Sequence, residues 1–308
     1  MLDFRVRTFL TLCKYMNYTR AAEELHITQP AVTQQIKYLQ DIYNVKLFEY
    51  KKQMLTLTPE GQMLRDAMIT FRRDEEKLRK DLLNTHKSKV VRFGATQTFG
   101  EYVLSKHLSS YLKRHPERRI HLVVDDLQKL MSELDSGELD FLLVEGYFNQ
   151  EKYCSFPWSS EEMICVCSPS LELPSGMLEL HDLLDKPLLL NIEGSCTREI
   201  LNRHLDAHNY DLSAFACIHE VSAVHLLKQL VINGCGIAFF FRSAVERELA
   251  KGLIREVQIA NFHLLNDFSM IWRKGSIYEA IVQRMFFELD APNAINGTVP
   301  DPGILYVT

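Results

Sequence analysis

Between Tyr18 and Leu39 the chain reads YTRAAEELHITQPAVTQQIKYL, and its hydrogen-bonding side chains fall on one side of a helical pattern. From Gln29 onward, Thr33, Gln34 and Lys37 form a face with nothing to bury. Gln pairs bidentately with adenine in a major groove, Thr reaches bases or phosphate, and a single Lys limits the non-specific charge. That is chemistry for reading base edges, with Arg20 and Pro30 on the same DNA-facing side. A second set follows apolar, strand-like runs. It comprises Thr96-Gln97-Thr98, Glu145-Gly146, Ser195-Cys196-Thr197-Arg198 and Ser222. Hydroxyls and free amides at helix starts bind anions, and the Arg198 fork suits a carboxylate or sulfate. Arg198 could instead pair with Glu199 or Glu220 on the surface. Cys196, at a helix start beside that Arg, is expected to have a lowered pKa. This leaves a redox role open beside that of an inert lining thiol.

The first set needs two short helices around a tight turn. Thr19 is read as the cap of the first, with Ala21, Ala22 and Leu25 as its packing side. Ile27 is read as a buried plug in the turn and Thr28 as the cap of the second helix, whose first turn tolerates Pro30. Val32, Ile36 and Leu39 form the buried stripe of that helix. Phe4, Phe9, Leu10, Leu12 and Cys13 complete a three-helix core. Leu47–Tyr50 and Met54–Leu57 are then predicted to pair as a two-stranded wing. Its tip, Lys51-Lys52-Gln53, carries Lys51 and Lys52 to the phosphate backbone. Thr58-Pro59-Glu60 opens a further helix, predicted to run to about His86, or about 40 Å. Leu64, Met68, Phe71, Leu78 and Leu82 keep heptad spacing along it, broken at Glu75, which predicts a dimerising linker helix.

From Lys89 strands alternate with helices over some 200 residues, which implies parallel sheets covered on both faces and two α/β lobes. Ligands in such sheets sit beyond the carboxyl ends of strands, where the second set lies.

The 308 residues, 46% hydrophobic, are enough for two or three domains. Residues 1–87 carry 15 Lys+Arg against 11 Asp+Glu, and the remainder 20 against 29, a mildly basic front on an acidic back. There is no apolar run of about eighteen residues, and Asp3, Arg5 and Arg7 occupy the place of a signal core, so a soluble cytoplasmic protein without membrane contact is expected. The seven cysteines form no CxxC pair, which favours reduced thiols over a metal or disulfide framework. An enzyme is not expected: there is no Gly-x-Ser-x-Gly elbow, phosphate loop or dinucleotide fingerprint, and His204 and His208 lack the Glu of a zinc protease. No catalytic residue, metal or cofactor is assigned.

In its motifs the chain resembles LysR-type transcriptional regulators over nearly its whole length, most specifically in TRAAEELHITQPAVTQQIKYL, LFEY and LTPEG. The resemblance implies an all-α winged helix-turn-helix domain (1–58), a linker helix (59–87) and an effector domain (88–308) similar to periplasmic solute-binding proteins. Its two Rossmann-like lobes would be about 88–161 with 269–292, and 162–268, followed by a tail, 293–308. It also implies an operator of double-stranded DNA, a small-molecule effector, homodimers or homotetramers, and RNA polymerase as a partner if the protein activates. Tyr50, Gln40 and Asn44 depart from the family's usual Arg, Glu and Gly. The segments GATQTFGEYVLSKHL, LDFLLVEG and IEGSCTRE resemble, less specifically, the branch of sulfur-assimilation regulators.

Overall fold

The computed structural model describes residues 3–83, 90–174 and 176–289. The end of the expected linker helix (84–87) and the expected tail lie outside the described residues. Contacts divide the chain into two units, Met1–Lys87 with Gly275–Tyr278, and Ser88–Lys274 with Glu279–Thr308.

In the head unit, α1 (Phe4–Tyr15), α2 (Tyr18–Leu25) and α3 (Gln29–Tyr43) precede the hairpin β1 (Phe48–Lys51) and β2 (Met54–Leu57) and the long helix α4 (Pro59–Leu83). Local chemistry sets the helix ends. Asp3 accepts from the Arg5 amide, Asn17 from the Arg20 amide and Thr28 from the Ala31 amide. Each bond satisfies an amide that has no partner within its helix. Asn17, one residue outside the helix, is therefore the cap of α2 rather than Thr19. Phe9, Leu12, Ala21, Val32, Ile36 and Leu47 are almost fully buried in one core. Phe4 and Ile27, expected inside, are exposed. Ile27 sits just past His26, whose left-handed backbone (φ 55°) ends α2, and the small Ala21 and Ala22 close the helix crossing without a plug.

The hairpin register pairs Phe48 with Leu57 and Lys51 with Met54. Lys51 thus belongs to the strand, and Lys52 (φ 50°) and Gln53 (φ 65°) alone make the turn. Two successive positive φ values match the twist of a two-residue hairpin. Where α4 passes the wing, a Cβ on Gly61 would lie 2.1 Å from the Leu47 carbonyl oxygen, so only glycine fits.

The effector unit contains β3 (Val90–Ala95), a π-helical turn (Phe99–Val103), α5 (Leu104–Arg114), β4 (Arg119–Val124), α6 (Leu127–Ser136), β5 (Phe141–Val144) and β6 (Tyr153–Cys167). There follow β7 (Leu188–Asn191), α7 (Cys196–Ala207), β8 (Ile218–Val221), α8 (Val224–Ile232), β9 (Ile237–Phe241), α9 (Arg242–Ala250), β10 (Arg255–Val257), β11 (Leu264–Arg273) and α10 (Glu279–Glu288). The strands join in the order β4-β3-β5-β11-β6-β9-β7-β8, with β10 also on β6. β3 runs parallel to β4 and β5, and β7 parallel to β8 and β9. Between these groups β6 and β11 run antiparallel to each other and to β5 and β9. The expectation of purely parallel sheets is corrected: two long antiparallel strands cross from one lobe to the other, with a bulge between Phe268 and Ser269. Residues 153–162 hide the first half of β6 from a pattern reading, because Pro157 and the run Ser159-Ser160-Glu161-Glu162 look like a loop. Phe99, Trp158, Phe241 and Phe268 pack at the crossing with ring centroids 4.9–5.4 Å apart, as stacked and edge-on pairs do in protein cores.

Candidate functional site

The face expected to read DNA lies on α3. Val32, Ile36 and Leu39 point into the core, which turns Gln29, Pro30, Thr33, Gln34 and Lys37 outward, all exposed. Truncating Ile36 to Ala would cost about 2–5 kcal/mol and loosen the helix from its support. The Thr33 hydroxyl donates to the Gln29 carbonyl at 3.1 Å and also accepts from Gln29 Nε2 at 3.4 Å, so these two side chains steady each other. Arg20 is exposed on α2, and Lys52 is exposed at the wing tip. Lys51 pairs with Glu49 at 2.7 Å along the strand. Lys46 lines a groove with Thr33 and Lys37. It falls between helix and wing, outside either sequence pattern.

The linker seam is corrected in part. Met68 is buried in the head's own core and Leu64 packs against it. Phe71, Leu78 and Leu82 remain exposed on α4.

In the effector unit a cavity of about 270 Å³ opens between the lobes. Thr96, Gln97, Thr98 and Glu145 line it from one lobe, and Ser195, Cys196, Thr197 and Ser222 from the other. Gln97 and Thr98 open the helical segment that follows β3. The Thr98 and Thr197 hydroxyls meet across the cleft at 3.3 Å. Gly146 stands where the lobes approach, since a Cβ there would lie 2.8 Å from the Cys196 Sγ. Val124, Asp125, Asp126 and Leu127 also line the cavity. They follow β4 as the predicted sites follow their strands, so the same strand-end rule could have found them.

The electrostatics depart from expectation at two residues. Arg198 does not line the cavity. Its Nη1 donates to Glu220 Oε1 on β8 at 2.6 Å and to the Asn191 carbonyl at the end of β7 at 3.2 Å, which directs the side chain to these strands. Cys196 is buried, and burial together with the carboxylates of Glu145 and Glu199 pushes its thiol well above the usual range. Desolvation outweighs the helix N-terminus, which removes the expected reactive thiolate.

Glu145 is fully enclosed, and burial raises its pKa to about 8 against the pull of a Thr98 hydrogen bond. The Thr96 hydroxyl donates to its carboxyl, and Asn266 Nδ2 holds its backbone carbonyl at 2.7 Å. Asp125 is held low by Lys129 and the Asp126 amide. Asp126 precedes α6 and makes no side-chain cap bond. Among the described lining residues there is no Lys, Arg or His.

Comparison with known proteins gives this geometry its context. Residues 5–62 match "Bacterial regulatory helix-turn-helix protein, lysR family", and residues 84–289 match "LysR substrate binding domain". The chain belongs to the LysR family. It is a transcriptional regulator with a DNA-binding head and an effector-binding domain, and not an enzyme. This LysR-type chain is 27% identical to the HTH-type transcriptional regulator CysL of Bacillus subtilis (strain 168), over 86% of its own length and 89% of the relative. It is 26% identical to the uncharacterized HTH-type transcriptional regulator YeiE of Escherichia coli (strain K12), over 87% and 89%. It is similar in fold to a full-length OxyR variant of Pseudomonas aeruginosa (TM-score 0.58, 22% identity, 95% of each chain). Full-length BenM is comparable (TM-score 0.58, 20% identity, 98% of this chain and all of the other).

Two of this LysR-type regulator's departures have structural reasons. Gln40 Oε1 accepts from the Leu47 amide at 2.9 Å and ties α3 to the wing, a bond that needs an acceptor but no charge. Asn44 ends α3 at φ 53°, a left-handed conformation that Asn adopts more readily than most residues. Tyr50 is exposed on β1. No described helix is long and apolar enough to cross a membrane.

Proposed function

We propose that this LysR-type regulator binds its operator as a homodimer, reads bases through Gln29, Thr33, Gln34 and Lys37, and contacts the backbone through Lys52 and Arg20. Its exposed seam is Phe71, Leu78 and Leu82. Further pairing to a homotetramer, and contact with RNA polymerase if it activates, belong to the same reading. Its effector is a small zwitterion that bears a carboxylate and an ammonium, of amino-acid size, held between the lobes.

The carrying observation is the lining of the cleft: buried hydroxyls and a helix start from both lobes, with acids and no cation on the described walls. The α7 N-terminus with Thr98 and Thr197 offers donors to a carboxylate. Glu145, raised to about 8, is mainly a neutral acid at pH 7 and adds a donor. Asp126 supplies the opposite charge at the rim for an ammonium. A bare dianion such as sulfate would face these acids without a basic partner, at a cost that desolvation increases. A ligand that touches both lobes binds the closed arrangement better than the open one, and that difference is what shifts a two-state equilibrium.

Calorimetry with L-serine, its carboxylate-only analogue 3-hydroxypropanoate and sulfate tests the class. Binding is expected for the zwitterion, with Thr98→Val and Thr197→Val each weakening it about tenfold, as loss of one or two net hydrogen bonds does. Tighter binding of sulfate or of the deamino analogue would overturn the zwitterion reading.

A further inference from the structure

We propose that Asp74 is the positioning residue that transmits cleft closure to the linker helix, by clamping the turn Gly275–Tyr278 that follows β11. The inference rests on the proposed closure of the cleft around an effector.

Asp74 is a carboxylate midway along α4, yet only 3% exposed. Its Oδ1 accepts from the Ser276 hydroxyl at 2.9 Å and its Oδ2 from the Ile277 amide at 2.8 Å. The Ser276 hydroxyl also accepts from the Tyr278 amide at 3.2 Å. Three residues further along α4, the Lys77 ammonium lies over the Tyr278 ring, 4.1 Å from its centroid. The turn is thus gripped by a two-point carboxylate and a cation–π contact. It packs with the head unit although the chain on either side of it belongs to the effector unit. Asp74 falls three residues after Phe71 and four before Leu78, on the face that carries the exposed apolar residues of α4. Glu75 breaks the heptad next to it. Asp74, beside that interruption, binds a segment of the chain's own effector half.

The other end of this segment is the cleft. β11 carries Asn266, whose amide holds the Glu145 carbonyl, and it pairs with β6 throughout its length and with β5 near its end. From Asn266 to Ser276 is ten residues, about 33 Å of extended chain. A strand bonded on both sides moves with its sheet rather than stretching. Displacement of β11 relative to the cleft wall therefore arrives at Ser276 and Ile277, where charge-assisted bonds to a buried carboxylate resist slipping. Replacing Asp74 removes both of these bonds and leaves the looser ring contact in place.

Closure can be imposed without an effector. The Thr98 and Thr197 hydroxyls are close enough that Thr98→Cys with Thr197→Cys, in a Cys196→Ala background, should bridge the lobes on oxidation. Operator affinity of the full chain is measured oxidised and reduced, with Cys196→Ala alone as the oxidation control. With Asp74 present, oxidation is expected to change the affinity about fivefold or more, the usual lower range for coupled sites. Asp74→Ala and Asp74→Asn should cut the change to below about twofold, while the reduced-state affinity and the sedimentation coefficient hold. Ser276→Ala, which removes one of the two bonds, should fall between. A full oxidation response in both Asp74 variants would overturn the clamp. So would the absence of any response with Asp74 present, whereas the effector reading would still stand or fall on calorimetry at the cleft.

Discussion

Replacing Glu145 by Gln should remove a pH dependence from the stability of the effector unit. The carboxyl is fully enclosed and its pKa is raised from 4.5 to about 8, so between those values the folded state holds a proton that the unfolded state has released. Its contribution is therefore complete below about pH 4.5 and is lost as pH rises toward 8. Across the middle of that window the slope approaches about −1.4 kcal/mol per pH unit for one proton. From pH 5.5 to 7.0 the wild type should lose roughly 2 kcal/mol relative to Glu145→Gln. For a unit of this size that is about 4–8 °C in Tm. His204, whose pKa is lowered mainly by burial, contributes a slope of opposite sign in both proteins and cancels in the difference. The assay is thermal unfolding followed by tryptophan fluorescence. The chain has two tryptophans, Trp158 and Trp272, both buried in the effector unit, so the signal does not report the head. The curves should converge below about pH 4.5 and diverge steadily from about pH 5 to pH 8. Parallel curves, or a wild type that gains stability over the variant as pH rises, would refute the account of Glu145 as a buried neutral acid.

Gln34→Ala should weaken binding to the specific operator by about 1–3 kcal/mol and barely affect random DNA, whereas Lys52→Ala should weaken both and flatten the salt dependence; equal losses on both DNAs from Gln34→Ala would remove that residue from base readout. Phe71→Asp with Leu78→Asp should yield monomers in sedimentation and abolish tight operator binding, and an intact dimer would place the interface elsewhere. Arg198→Ala breaks the pair with Glu220 but touches no cavity wall, so calorimetry should show effector affinity within about twofold of wild type, since pairs of this kind contribute about a kcal/mol or less to stability and nothing to the ligand directly. A loss comparable to that of Thr197→Val would return Arg198 to the site. Cys196 should react with a thiol reagent far more slowly than exposed Cys217 and Cys235 at pH 7.5, and fast labelling traced to Cys196 by mass spectrometry would contradict its burial.

Much of the head was legible in order, because its determinants lie within a few residues of one another. The stripe of Val32, Ile36 and Leu39, the cap at Thr28, the proline after it and the left-handed Asn44 are relations of one to four positions, the range over which helix geometry acts. The strand-end rule likewise gathers Thr96, Thr98, Glu145 and Thr197 from the sequence, and all four line the cavity. What the sequence left open is what depends on distant partners. Arg198 could be read as a ligand fork or as a surface pair; Glu220, 22 residues away on the neighbouring strand, decides for the pair. The helix-terminus argument for Cys196 was sound locally but lost to desolvation, a property of the whole packed cleft. β6 concealed half its length behind Pro157 because its identity as a strand comes from pairing with β11, more than a hundred residues later. Asp74 looked like one more charge on a solvated helix, and only folding brings Ser276, 202 positions on, within reach of it. Local periodicity encodes which residues face inward, but burial and partnership set the charge state and use of a side chain, and these exist only once the chain has closed on itself.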